Sequence, residues 1–137
     1  MTRYVTTAGH FYSLNASRVL FAMEIDALLL RLSSQHGSDL FLSTGAPPSA
    51  RSDGVLTPFS ERPFKPGEVE AIANSLMDAE QRREFDRDLE MNLAVSLQGA
   101  GRYRVNVYYQ RGEVSMVVRL IKSQIPGFEA LGLPKML

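Results

Sequence analysis

The run Gly101-Arg102-Tyr103-Arg104-Val105-Asn106-Val107-Tyr108-Tyr109, then Gln110-Arg111-Gly112, then Glu113 to Lys122, decides the fold. Both flanks are rich in Val and Tyr and alternate in polarity, so they read as two strands of a β-hairpin. With Arg111-Gly112 as the two-residue turn, Gln110 faces Glu113. Val107 then opposes Met116, Val105 opposes Val118 and Tyr103 opposes Leu120, which makes one face apolar. The other face carries Arg102, Arg104 and Asn106, with Arg104 opposite Arg119. Two guanidiniums side by side repel, at about 0.2–1 kcal/mol on the scale of cross-strand pairs.

The preceding run Met91-Asn92-Leu93-Ala94-Val95-Ser96-Leu97 alternates too. A Gly99-Ala100-Gly101 loop predicts Leu97 against Tyr103, Val95 against Val105 and Leu93 against Val107, which keeps the apolar sides together. Ser96 and Ala94 then lie beside Arg104 and Asn106, so small side chains leave the arginines uncovered. Such a face suits an anion, phosphate above all, because the guanidinium offers a planar fork of donors. The competing reading is a solvated face whose arginines snorkel or pair with Asp and Glu.

Working outward, Ile25, Leu28, Leu29 and Leu32 fall at helical spacing, with Glu24 and Asp26 in the first turn and Gly37 as the stop. Ser38 to Ser43 reads as a short strand ended by Gly45-Ala46-Pro47-Pro48. Ser49 to Arg51 and Val55 to Thr57 form a second hairpin around Ser52-Asp53-Gly54-Val55. Asp39 and Asp53 fit turn chemistry better than acid catalysis. A helix opens at Lys65-Pro66-Gly67-Glu68 and carries Val69, Ile72, Ala73, Leu76 and Met77. Asp78 caps the next, Ala79 to Leu89, whose apolar pair is Phe85 and Leu89; its many charges predict a solvated or protein-docking face. Residues 1–22 read as a poorly ordered leader whose last residues extend the first helix. Phe128 to Leu131 suggests a helical turn within a linker, residues 124–137, that continues into something longer.

A length of 137 residues bounds the chain to one domain. Lys+Arg and Asp+Glu both number 15, so no global field favours nucleic acid or a membrane surface, and an anion site must be local. The chain has no cysteine, hence no disulfide framework and no thiolate metal site, as a reducing compartment allows. His10 and His36 are too few and too far apart for a zinc site or a triad. No apolar run approaches the ~18–20 residues of a membrane span. The chain contains no phosphate-binding Walker A loop, dinucleotide fingerprint, zinc-protease motif or nucleophile elbow.

The ordered set Gly37-Ser38-Asp39-Leu40-Phe41-Leu42, Gly45-Ala46-Pro47-Pro48, Asp53-Gly54, Gln81-Arg82-Arg83-Glu84-Phe85, Gly101 to Asn106, Arg119, Ile125-Pro126 and Leu131-Gly132-Leu133-Pro134 resembles one family. From Glu24 to Leu137 the chain is similar to the N-terminal domain of the type IV pilus retraction motors, the PilT/PilU type within the secretion ATPase superfamily. Phe41 and Tyr108-Tyr109-Gln110-Arg111 resemble the accessory PilU-like branch. The resemblance implies an α+β fold with a PAS-like antiparallel sheet flanked by helices over residues 23–123, followed by a RecA-like ATPase domain that this chain does not contain. It implies a cytoplasmic homohexamer, peripheral at the inner membrane and working with the pilus platform protein. Each N-terminal domain would pack on a neighbour's catalytic domain and turn Arg102, Arg104 and Arg119 toward the phosphates of ATP, with Mg held elsewhere. No metal site or catalytic residue is expected in this chain. Rival expectations are a PAS-type sensor with a small-molecule cavity lined by Tyr103, Phe41 and Met116, a protein-interaction module, and a nucleic-acid module using the arginine face.

Overall fold

The computed structural model describes residues 4–5, 11–12 and 16–123, with side chains over 24–121. The first helix, α1, runs Ala16–Ser34 and so takes in the end of the leader. Its stripe of Ile25, Leu29 and Leu32 is buried, and each such side chain contributes about 1.5–3 kcal/mol. The helix ends in a left-handed turn at His36 (φ 55°), not at Gly37 as expected. His36 N–H donates to the Ser33 carbonyl and Gly37 N–H to the Leu32 carbonyl, the paired bonds of a Schellman end. Gly37 is small for another reason: a Cβ there would sit 2.5 Å from Leu32 Cδ1 and 3.3 Å from Ser52 Oγ.

Strands β1 (Tyr4–Val5) and β2 (Phe11–Tyr12) precede α1. After it come β3 (Asp39–Leu42), β4 (Ser49–Ser52) and β5 (Val55–Pro58). The β4–β5 turn places Asp53 (φ 51°) and Gly54 (φ 78°) in left-handed conformations, as a type I′ hairpin requires. Helix α2 (Glu68–Ser75) starts at Gly67, and α3 (Ala79–Asp88) starts at Asp78. Asp78 accepts from Gln81 N–H while the Gln81 side chain accepts from Asp78 N–H, a complete capping box. Leu89, expected to share the apolar stripe with Phe85, is instead the left-handed cap (φ 62°) and is exposed. Phe85 stacks on Tyr109, ring centres 5.1 Å apart.

Strands β6 (Glu90–Leu97), β7 (Gly101–Gln110) and β8 (Glu113–Ser123) follow α3. Among the described residues the eight strands form one antiparallel sheet in the order β2-β1-β6-β7-β8-β3-β4-β5, and the fold is α+β. The expected hairpin register holds: Gln110 faces Glu113, Val107 faces Met116, Val105 faces Val118 and Tyr103 faces Leu120. The β6–β7 register differs from expectation by two residues. Leu97 faces Gly101, Val95 faces Tyr103 and Leu93 faces Val105, because the turn comprises Gln98, Gly99 and Ala100. A two-residue slip leaves every side chain on its expected face.

Helices α1, α2 and α3 lie on one side of this sheet, and the core fills the space between. Tyr103 ties the layers together: its hydroxyl donates to the Leu29 carbonyl (2.9 Å) and shares a 2.6 Å hydrogen bond with Ser33 Oγ. Glu113 accepts from Thr44 Oγ1 (2.9 Å) and from Gly67 N–H (3.2 Å), fastening the end of the β7–β8 hairpin to the segment entering α2. The rest of the leader and the 124–137 linker with its Phe128–Leu131 turn lie outside the described residues.

Candidate functional site

The sheet's second side carries the arginines. Reading across six strands in register, Ala94, Arg104, Arg119, Asp39, Arg51 and Leu56 form one transverse row. Its neighbours on the opposite side are Leu93, Val105, Val118, Leu40 and Ala50, all buried under the helices. Alternation of side chains along each strand therefore puts Arg104 and Arg119 on the face that carries no helix among the described residues. Arg102 shares that face two residues before Arg104; a bulge in β8 at this point sets it opposite Lys122 rather than Ile121.

The three arginines singled out from the sequence are all exposed, and the Arg119 side chain is 72% accessible. Ser96 lies opposite Arg102 and Ala94 opposite Arg104, a correction to the expected Ser96–Arg104 and Ala94–Asn106 pairs. Small neighbours do leave the arginines open. A shallow depression of about 400 Å³ beside Arg104 is lined by Asn92, Leu93 and Ala94. One row further along, Asn106 Nδ2 donates to Asn92 Oδ1 (2.9 Å) and Glu90 Oε2 (3.2 Å).

Electrostatically the row is uneven. Arg119 Nε donates to Asp39 Oδ1 at 3.2 Å, and Asp39 Oδ2 accepts from Ser38 Oγ at 2.8 Å. Asp39 is largely buried at 9% accessibility. On its other flank Arg51 faces it in register but lays its guanidinium over the Phe41 ring, 5.3 Å from the centre, a cation–π contact. Among the described residues neither Arg102 nor Arg104 forms an ion pair. The reading in which acidic side chains neutralise the face thus applies to Arg119 and not to its two companions.

The cavity expected for a small-molecule sensor is not assembled. Tyr103 and Met116 are buried on the helix side of the sheet, whereas Phe41 lies on the other side beside Arg51. Sequence reasoning also missed Asp39 as the partner of Arg119, having set it down to turn chemistry. Its only signal was its place in a strand start, Ser38-Asp39-Leu40, because the pairing depends on β3 joining β8.

No protein-family model matches the chain. Among curated proteins it is 40% identical over 115 residues to the type IV pilus ATPase PilU of Pseudomonas aeruginosa, covering 84% of this chain and 30% of that protein. It is 34% identical over 111 residues to the pilus retraction ATPase PilT of the same organism, covering 81% and 32% respectively. Among solved structures it resembles the pilus retraction motor PilT with bound ADP, with a TM-score of 0.61 and 30% identity over 90% of this chain and 34% of the other. The Legionella pneumophila ATPase DotB shares the fold, with a TM-score of 0.64 and 22% identity over 83% of this chain and 32% of that one. The chain spans about a third of the length of the curated relatives it matches.

Proposed function

Because the chain matches the N-terminal domain of the PilT/PilU-type pilus ATPases, of the type II/IV secretion ATPase family, we propose that it is the assembly and regulatory domain of a hexameric pilus-retraction motor. In this reading its sheet is PAS-like, and its arginine face packs against the RecA-like catalytic domain of a neighbouring subunit. Arg102, Arg104 and Arg119 reach the phosphates of ATP bound there. The higher identity to PilU supports the accessory branch of these motors.

The observation that carries the proposal is the exposed Arg104–Arg119 pair on the sheet face opposite the described helices. Placing two like charges side by side is unfavourable in the isolated sheet. An arriving polyanion would turn that repulsion into attraction, and a guanidinium matches phosphate oxygens with two parallel N–H donors. The residues present therefore fit a nucleotide phosphate, while Mg and the attacking water belong to the catalytic domain. ATP bound there supplies the phosphoryl group; this chain's part is to add positive charge at the cleft, a role worth about 10³–10⁵ in rate for an arginine supplied in trans. Turnover then depends on how closely neighbouring subunits approach, which is how such a domain regulates. Among the described residues no helix is long and apolar enough to cross a membrane. From the likeness to the retraction motors, the motor is proposed to work from the cytoplasmic side, against the platform protein of the pilus machine.

The test is a domain exchange. This domain replaces the N-terminal domain of the Pseudomonas PilU relative, and the chimera is examined for particle mass and ATP turnover. A hexamer with nucleotide-stimulated assembly is expected. A chimera that stays monomeric at all nucleotide concentrations, while the parent assembles, contradicts the proposal.

A further inference from the structure

Asp39 occupies an unusual place, in register with an arginine on either side: Arg119 on β8 and Arg51 on β4. It engages one of them. The bond to Arg119 runs through Nε alone, at 3.2 Å, and uses one of the five guanidinium N–H donors. The carboxylate is itself fixed, 13% accessible and held on its second oxygen by Ser38 Oγ, while the Arg119 side chain remains 72% accessible. A buried carboxylate gripping an exposed guanidinium by its near edge acts as an anchor. Because β3 flanks β8 on the side opposite β7, this bond lies on the side of Arg119 away from Arg104, its like-charged partner across the β7–β8 ladder. Arg51 does not compete, because it is stacked on Phe41.

We infer that Asp39 is a positioning residue: it fixes the direction of the Arg119 guanidinium and keeps its outer donors clear of Arg104. The inference rests on the proposed phosphate-facing role only for its consequence in the motor; the anchoring itself is a property of this chain. Simple charge counting gives the opposite sign, since removing a carboxylate next to an anion site should favour the anion. Positioning predicts that its removal weakens the site.

The test has two parts. In the 137-residue chain, the Arg119 Nε–Hε resonance is followed by NMR in wild type, Asp39→Leu and Asp39→Ala. Wild type should show a slowly exchanging, ordered Nε–Hε, and both variants should lose that protection. Should Asp39→Ala unfold, the near-isosteric Asp39→Leu, which has no acceptor, decides, with folding checked by near-UV circular dichroism. A protected Arg119 Nε–Hε in folded Asp39→Leu overturns the inference.

In the full-length motor carrying this domain, ATP turnover is compared in Asp39→Leu, Arg119→Ala and the double variant. Asp39→Leu should lower turnover by about ten- to a hundredfold, the scale of one charge-assisted hydrogen bond, and should have no further effect once Arg119 is gone. Full turnover in Asp39→Leu alongside reduced turnover in Arg119→Ala overturns it, as does a loss that persists in the double variant. Full turnover in Arg119→Ala would instead remove the phosphate role of Arg119, leaving the resonance data to decide whether Asp39 anchors it.

Discussion

Arg104 and Arg119 are direct cross-strand partners on the sheet face opposite the described helices, and of the two Arg119 alone, among the described residues, has a carboxylate at its side. The pair is a local concentration of positive charge in a chain of formal net charge +0. Its existence depends on the β7–β8 hairpin holding register, and that register depends on the turn and on the layer beneath.

The turn is open to improvement. Arg111 sits at φ 56°, in the left-handed region, as the first central residue of a type I′ turn. Asn is far better suited to that position than Arg. Arg111→Asn should stabilise the chain by about 0.5–1 kcal/mol, read as a higher urea midpoint at constant m-value. The distance from the turn to Arg104 means that phosphate-dependent behaviour should not change.

Tyr103 holds the sheet to α1 through its hydroxyl, bonded at Leu29 and Ser33. Tyr103→Phe should cost about 1–2 kcal/mol, the usual worth of buried hydrogen bonds lost without a cavity, measured by urea unfolding at neutral pH.

The same residue sets an alkaline limit. Burial pushes the Tyr103 phenol above its ordinary value of 10.0, with the Ser33 bond opposing. As pH rises past that value the unfolded chain releases the proton before the folded one does, so stability falls. Below it the contribution is fully present. Tyr103→Phe should flatten part of this alkaline decline; Tyr109, whose phenol burial also raises, contributes to what remains. An unchanged alkaline profile in Tyr103→Phe would contradict the assignment.

Helix α3 depends on its capping box. Asp78→Ala removes the acceptor for Gln81 N–H and should cost about 0.5–2 kcal/mol. Phe85, which the helix delivers onto Tyr109, should show the loss first, as faster amide exchange along α3 than in β7 or β8.

The hairpin was legible because its information is local: an Arg-Gly turn, strict alternation and strands long enough to admit one register. The β6–β7 pairing was legible only to within two residues. Slipping from Leu97 against Tyr103 to Leu97 against Gly101 moves no side chain to another face, so polarity alternation cannot detect it. Leu89 was misjudged because helical spacing says nothing about where the chain must turn, and here it turns at Leu89 to enter β6. The assignment of the helix stop to Gly37 missed that His36 takes the left-handed position while Gly37 gives Leu32 room.

Within the candidate site, the shared face of Arg102, Arg104 and Arg119 followed from parity along two adjoining strands. Asp39 did not. Its bond to Arg119 joins residues 80 apart in sequence, across a β3–β8 pairing that no turn or spacing announces. Arg51 and Phe41 reach the same face by the same non-local route.

The most direct measurement is ATP turnover by the full-length motor with Arg104→Ala, paired with its thermal unfolding. Arg104 is exposed and forms no ion pair among the described residues, so unfolding should be unchanged while turnover falls by about tenfold or more, below the full range for an arginine acting in trans. Wild-type turnover in a folded Arg104→Ala motor would contradict the phosphate-facing role of this surface.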